Sequence, residues 1–304
     1  MMRPYLDPCL RRGDGVFMTE LISISSASLT ARINPLGAEL WSLTDGAGRE
    51  YMTDADPAFW TGHAPLLFPI VGALNGGEYR LATATYELPK HGFARTNTFE
   101  VIEQNLGSAR FRLTDSAETR AVYPFAFALE GWTLRMTAMV INQGDTSLPF
   151  SFGFHPAFAW PLPGGAAKDA HLVTFAEPEP QPIRRIDPPS GLVLLEREPT
   201  PVEGRALLPT SALFEPDAMI WDQLESQSLT FGAPGGASLD IAFPDTPMLG
   251  IWQKPGAAYL CIEPWQGIAD PTGYAGDFRD KPGVVTLAPG GARSFRMDVT
   301  VHPR

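Results

Sequence analysis

Glycine and proline interrupt this chain at short intervals, 29 glycines and 30 prolines spread over 304 residues. Long helices cannot be written through such punctuation, whereas strands separated by tight turns can. The stretches between the breaks carry the strand period. From Trp132 to Val140 large apolar residues (Trp132, Leu134, Met136, Val140) alternate with Thr133, Arg135 and Thr137, and Phe295, Met297, Val299 and Val301 repeat the pattern near the C-terminus. "SLTARIN", "ELWSL", "ARFRLTD", "SLPFSFGF" and "SLDIAF" are further candidates, most of them flanked by turn-forming residues. Many strands without interleaved helical repeats predict an all-β, antiparallel sandwich or barrel. "GAPGG", Gly232 to Gly236, reads as a hairpin turn and not as a phosphate loop, because its proline removes an amide donor.

Composition narrows the partners. With 44% hydrophobic and 19% charged residues the chain is a folded protein, and its net charge of −11 gives nucleic acid or an anionic membrane little to hold. No apolar run approaches the roughly 18–20 residues that span a bilayer, and the N-terminus lacks the apolar centre of a signal peptide. Cys9 and Cys261 are too few for a disulfide framework or a CxxC metal motif, which favours a reducing compartment, the cytoplasm. Residues 1–17 show no periodicity and read as a flexible tail before a single domain over residues 18–304. Within that domain the proline-rich segment from Pro178 to Pro201 reads as a long connecting loop.

Candidates for chemistry are few. Glu263, in "CIEPWQGIAD", follows the apolar run Tyr259–Leu260–Cys261–Ile262 and precedes Pro264 and Trp265. A carboxylate buried there must find a partner or hold its proton more tightly. His155, in "FGFHPAFAWPL", is also followed by a proline, so both residues are expected on extended backbone at the mouth of a sheet. Taken alone, a histidine among aromatics is more often a hydrogen-bonded core residue than a catalyst, and this holds more strongly for His63, His171 and His302. Carboxylate and imidazole together are a general acid/base pair. His91 opens "HGFAR", where Gly92 permits a tight turn. No HExxH, HxH, GxSxG, GxGxxG or P-loop pattern is present, so a metal site would have to be assembled from distant segments, and none is expected. Trp41, Trp60, Trp160, Trp221, Trp252 and Trp265 are either core residues or, where they converge, faces on which a sugar ring can lie.

Five blocks in order, "NPLGAELWSL" (Asn34 to Leu43), "APLLFPIVG" (Ala64 to Gly72), "HGFAR", "FGFHPAF" and "CIEPWQGIAD", make the chain similar to the aldose 1-epimerase (galactose mutarotase) family, in its less-characterised bacterial branch. The resemblance covers about residues 30 to 270. It implies a large antiparallel β-sandwich, the supersandwich of the galactose mutarotase type, with a sugar cleft across one sheet. It also implies Glu263 as catalytic base, His155 as catalytic acid, and His91 and Asp217 (or Asp222) at the substrate, with no cofactor; Arg95 and Trp265, beside these motifs, are further candidates for the substrate site. A small sugar is the implied partner of a monomer or homodimer. In "FPIVGALNGG" the chain departs from the pattern: Ala73 stands where relatives commonly carry a substrate-holding arginine, with Arg80 and Arg95 the nearby cations. Two alternatives stay open, a hexose-phosphate mutarotase, which needs two or three basic residues converging at the cleft, and a non-catalytic carbohydrate-binding or sensing protein.

Overall fold

A computed structural model describes residues 20–114 and 121–304, and the expected tail over residues 1–17 lies outside them. Antiparallel sheets dominate. A nine-stranded sheet runs in the order Ala206–Leu207, Leu172–Phe175, Ser228–Gly232, Ser238–Ala242, Ala292–His302, Thr133–Asn142, Ala121–Glu130, Ser108–Thr114 and Glu100–Gln104. A second sheet aligns Phe152–Gly153, Tyr259–Gln266, Met248–Trp252 and Met219–Trp221, with Ala157–Ala159 also paired to Tyr259–Gln266. Ile22–Ser25, Leu29–Asn34 and Glu39–Asp45 form a third. Among the described residues the helical elements are single 3-10 turns such as Ser211–Phe214, and no helix is long and apolar enough to cross a membrane.

Alternation decides which face each strand buries. Along Thr133–Asn142 every second residue (Leu134, Met136, Ala138, Val140) is buried, and Phe295, Met297, Val299 and Val301 do the same on the neighbouring strand. Trp132 departs from the expected pattern: it precedes the strand and is 38% exposed. On the outer face of this large sheet polar cross-strand pairs meet water, Arg135 with Asp298 and Thr133 with Thr300. The inner face meets the second sheet through aromatic rings. Phe295 stacks on Phe152 at a centroid separation of 4.8 Å and lies edge-on to Phe150. "GAPGG" forms the expected hairpin between Ser228–Gly232 and Ser238–Ala242.

The strand Tyr259–Gln266 is buried on both faces, which is why it reads as a continuous apolar run. Leu260 and Ile262 point into the core shared with the nine-stranded sheet. Cys261 and Trp265 belong to smaller clusters on the opposite face, and Glu263 lies between them in the alternation. The proline-rich segment is less open than a loop reading expects. Arg184 pairs its backbone with Ile220, and Val193 donates to the Asp270 carbonyl, so the segment covers the edge of the second sheet beside Met219–Trp221.

Candidate active site

The second sheet carries, on the face turned away from the main core, a cavity of about 260 Å³. Glu263 enters it from the middle of its strand, three residues before the strand ends, and not from the mouth of the sheet as expected. His155 is brought alongside by two backbone bonds that zip its segment onto that strand. Phe154 N–H donates to the Pro264 carbonyl at 3.0 Å and Ile262 N–H donates to the Pro156 carbonyl at 3.2 Å. Nε2 of His155 then lies 3.1 Å from a carboxylate oxygen of Glu263, with both side chains buried.

His91 depends on the turn that follows it. Its backbone is left-handed (φ 68°), and Gly92 is too (φ 71°), with the Phe68 carbonyl oxygen only 2.2 Å from where a Cβ on Gly92 would sit. Gly72 N–H donates to His91 Nδ1 at 3.1 Å, which leaves the imidazole proton on Nε2. The ring meets His155 edge-on at 5.9 Å. A Gly92→Ala change is therefore expected to misplace His91 and destabilise the fold by about 1–3 kcal/mol, checked by thermal melting and sugar affinity together; an unchanged melt would contradict the tight turn.

Asp217 lies on the cavity wall in a left-handed turn (φ 68°) that the buried Arg185 holds by donating to the Asp217 and Leu213 carbonyls. Asp222, the alternative, faces elsewhere: Arg184 and Arg197 clamp its carboxylate at 2.7–2.8 Å, which ties the proline-rich segment down. Arg95 lines the cavity, whereas Arg80 does not, its backbone bridging to Asp277. Trp265 lines it as well. The facing strands make room for its indole with Gly153 and Gly250, where any Cβ would come within 2.6 Å of the ring.

The sequence reading did not single out Lys90, Ile186 and Gly191, all of which line the cavity. Nor could it sort the tryptophans. Trp60, Trp252 and Trp265 converge here, with Trp60 5.1 Å and Trp252 6.1 Å from the His155 ring. Trp160 and Trp221 are fully buried in the core, and Trp41 stacks on His63. Two other histidines have structural partners: His171 Nε2 accepts from Leu162 N–H, and His302 pairs with Asp240 at the surface.

Burial sets the electrostatics. It raises the Glu263 carboxyl well above the usual range, an effect that nearby Lys90 opposes and Asp217 reinforces. The Trp265 indole N–H, buried without a regular hydrogen-bond partner, also favours the carboxylate. The same desolvation lowers His155 to about 3 and His91 well below its ordinary value. Between the lowered His155 value and the raised Glu263 value the pair holds one proton, and its neutral and ion-pair forms differ only by a transfer across 3.1 Å.

These depressed histidines make stability acid-sensitive. The unfolded chain binds the protons of His63, His91, His155 and His171 below about pH 6.5 while the folded chain refuses them, and these outnumber the raised carboxyls of Glu263 and Glu39, which act in the opposite sense, so stability is expected to fall as pH drops from there toward 4. Melting temperature measured across that window checks it, and a flat profile would contradict it.

The chain matches the sequence profile described as aldose 1-epimerase over residues 20–273. It is 31% identical to the plasmid-encoded protein LacX of Lactococcus lactis, over 92% of this chain and 99% of that one. Among solved structures, a galactose mutarotase-like protein from Lactobacillus casei superposes with a TM-score of 0.85 at 30% identity, covering 93% of this chain and all of the other. A galactose mutarotase related enzyme from Lactobacillus acidophilus gives 0.84 at 30% identity, covering 93% and 97%.

Proposed function

Because this chain belongs to the aldose 1-epimerase family, we propose that it interconverts the α- and β-anomers of a small aldose by acid/base ring opening, with Glu263 as base and His155 as acid. The observation that carries this reading is the pair itself, a carboxylate and an imidazole 3.1 Å apart at a cavity sized for one sugar ring.

The anomeric oxygen and the ring oxygen of an aldose are bonded to the same carbon, so two proton-transfer groups in contact can serve both. With the pair's proton on His155, Glu263 removes the proton from the C1 hydroxyl. Its electron pair forms the C1=O1 bond, the C1–O5 bond breaks, and His155 Nε2 delivers its proton to O5. The aldehyde turns about C1–C2 and recloses on its other face with both transfers reversed. Lys90 favours the carboxylate form of Glu263 that begins the cycle. Trp60, Trp252 and Trp265 offer flat apolar faces to the ring, and Asp217 and His91 offer polar groups to its hydroxyls.

The test is the equilibration of freshly dissolved α-glucose and α-galactose, followed by polarimetry or NMR. Acceleration proportional to enzyme concentration supports the reading. Absence of acceleration for any aldose, with sugar still bound, would favour a binding or sensing protein. The active state is the one-proton pair, so the rate is expected to fall as pH drops toward 3, where His155 takes a second proton, and to fall as pH rises through the raised Glu263 value. A rate that is lost as pH drops through 6.5 would contradict it.

A second reading, a hexose-phosphate substrate, has one observation in its favour. Lys90 and Arg95 both line the cavity, and among the described residues neither side chain is engaged in a hydrogen bond or ion pair. Two cations on the wall suit a phosphate dianion, despite the acidic chain as a whole. Under this reading glucose 6-phosphate equilibrates faster than glucose, and Lys90→Ala or Arg95→Ala raises KM at least tenfold for the phosphate ester alone. Equal losses for both sugars would remove it.

A further inference from the structure

Cys261 takes no part in the proton transfers, yet it lies two residues before Glu263 on the same strand and the same face. Its sulfur, a ring nitrogen of His155 and a carboxylate oxygen of Glu263 all lie within 4.8 Å of one another, and all three residues are buried. Thiolate, imidazole and carboxylate are the donor set of zinc. Bonds of about 2.0–2.3 Å in tetrahedral geometry put one sulfur, one nitrogen and one oxygen donor roughly 3.3–3.6 Å apart, so a pair at 4.8 Å has about 1.2–1.5 Å to close. The cavity lies against His155 and Glu263, giving an ion its entry path and a fourth position for water.

From this geometry we propose that His155, Cys261 and Glu263 form a binding site for a thiophilic divalent cation of the zinc type, and that occupancy blocks the acid/base pair. A thiolate and a carboxylate carry two negative charges, which one dication neutralises, so the occupied group is neutral in its buried position. The ion also takes a ring nitrogen of His155 and a carboxylate oxygen of Glu263, the two groups that ring opening uses, so a sugar and the metal exclude each other. Binding does not depend on the epimerase reading; inhibition does.

Cobalt(II) is the probe, added to a Cys9→Ser protein in which Cys261 is the sole thiol of the chain. The expected result is a near-ultraviolet thiolate-to-cobalt charge-transfer band that saturates at one ion per chain, with displacement by Zn²⁺ and at least tenfold weaker binding in Glu263→Gln. No band at millimolar cobalt, in protein shown to be folded by circular dichroism, overturns the site. So does a band whose affinity Glu263→Gln leaves untouched. Where wild-type protein equilibrates anomers, Zn²⁺ is expected to stop it and a chelator to restore it; a bound metal without inhibition overturns the blocking role. A protein that shows the band but never epimerises any sugar leaves the site standing and defeats only the proposed function.

Discussion

Glu263→Gln is expected to slow anomer equilibration by at least about 10²–10⁴-fold while the protein still folds and binds sugar. Glutamine keeps the shape of the side chain and removes its basicity, so the C1 hydroxyl proton loses its acceptor. The cost to the fold is small because the wild-type carboxyl is already pressed toward its uncharged form by burial. Binding survives because the tryptophan faces, Asp217 and His91 are untouched. The measurement is polarimetric rate beside sugar affinity by calorimetry, with thermal melting as the control for folding. A folded variant at full rate would show that Glu263 is not the base.

Lys281→Met is expected to destabilise the protein by about 3–5 kcal/mol, a fall in melting temperature of roughly 5–15 °C. The Lys281 ammonium is fully buried and 2.9 Å from the Asp270 carboxylate, itself 4% exposed. Burial lowers the lysine's pKa, with Asp270 pulling it back up. Asp270 is also where three segments meet. Its second oxygen accepts from Asn75 N–H, its N–H donates to the Ala73 carbonyl, and its carbonyl accepts from Val193 N–H. Removing the lysine leaves a buried charge without a counter-charge at that junction, next to Ala269 and Gly72 on the cavity wall. The double change Lys281→Met with Asp270→Asn should recover part of the loss, since replacing both charges leaves none stranded. Urea melts of the three variants decide it: a single variant costing under about 1 kcal/mol, or a double no better than the single, would refute this account.

Where local chemistry carries its own signal, the sequence was a good guide. Turn residues and two-residue alternation predict the strands of the large sheet, and the "GAPGG" hairpin, because those features depend on neighbours a few residues apart. Glu263 stands out because a carboxylate within an apolar run is costly wherever the run is buried. Trp132 escapes the alternation because the chain turns before the strand begins, and no pattern within the strand records that. Lys90 looks like any surface lysine. In the fold it stands just before the left-handed turn at His91 and Gly92 and lines the cavity.

The sequence by itself thus determined the all-β character of the chain and the identity of the residues able to move protons, since backbone propensity and side-chain chemistry are local properties. Tertiary structure alone decided that Glu263, His155 and Cys261 meet, that three of the tryptophans converge while others fill the core, and that Asp222 serves the fold while Asp217 faces the cavity. The reason is physical. A strand buried on both faces shows no alternation, so which face each side chain takes is set by the sheets packed against it, and not by its neighbours in sequence.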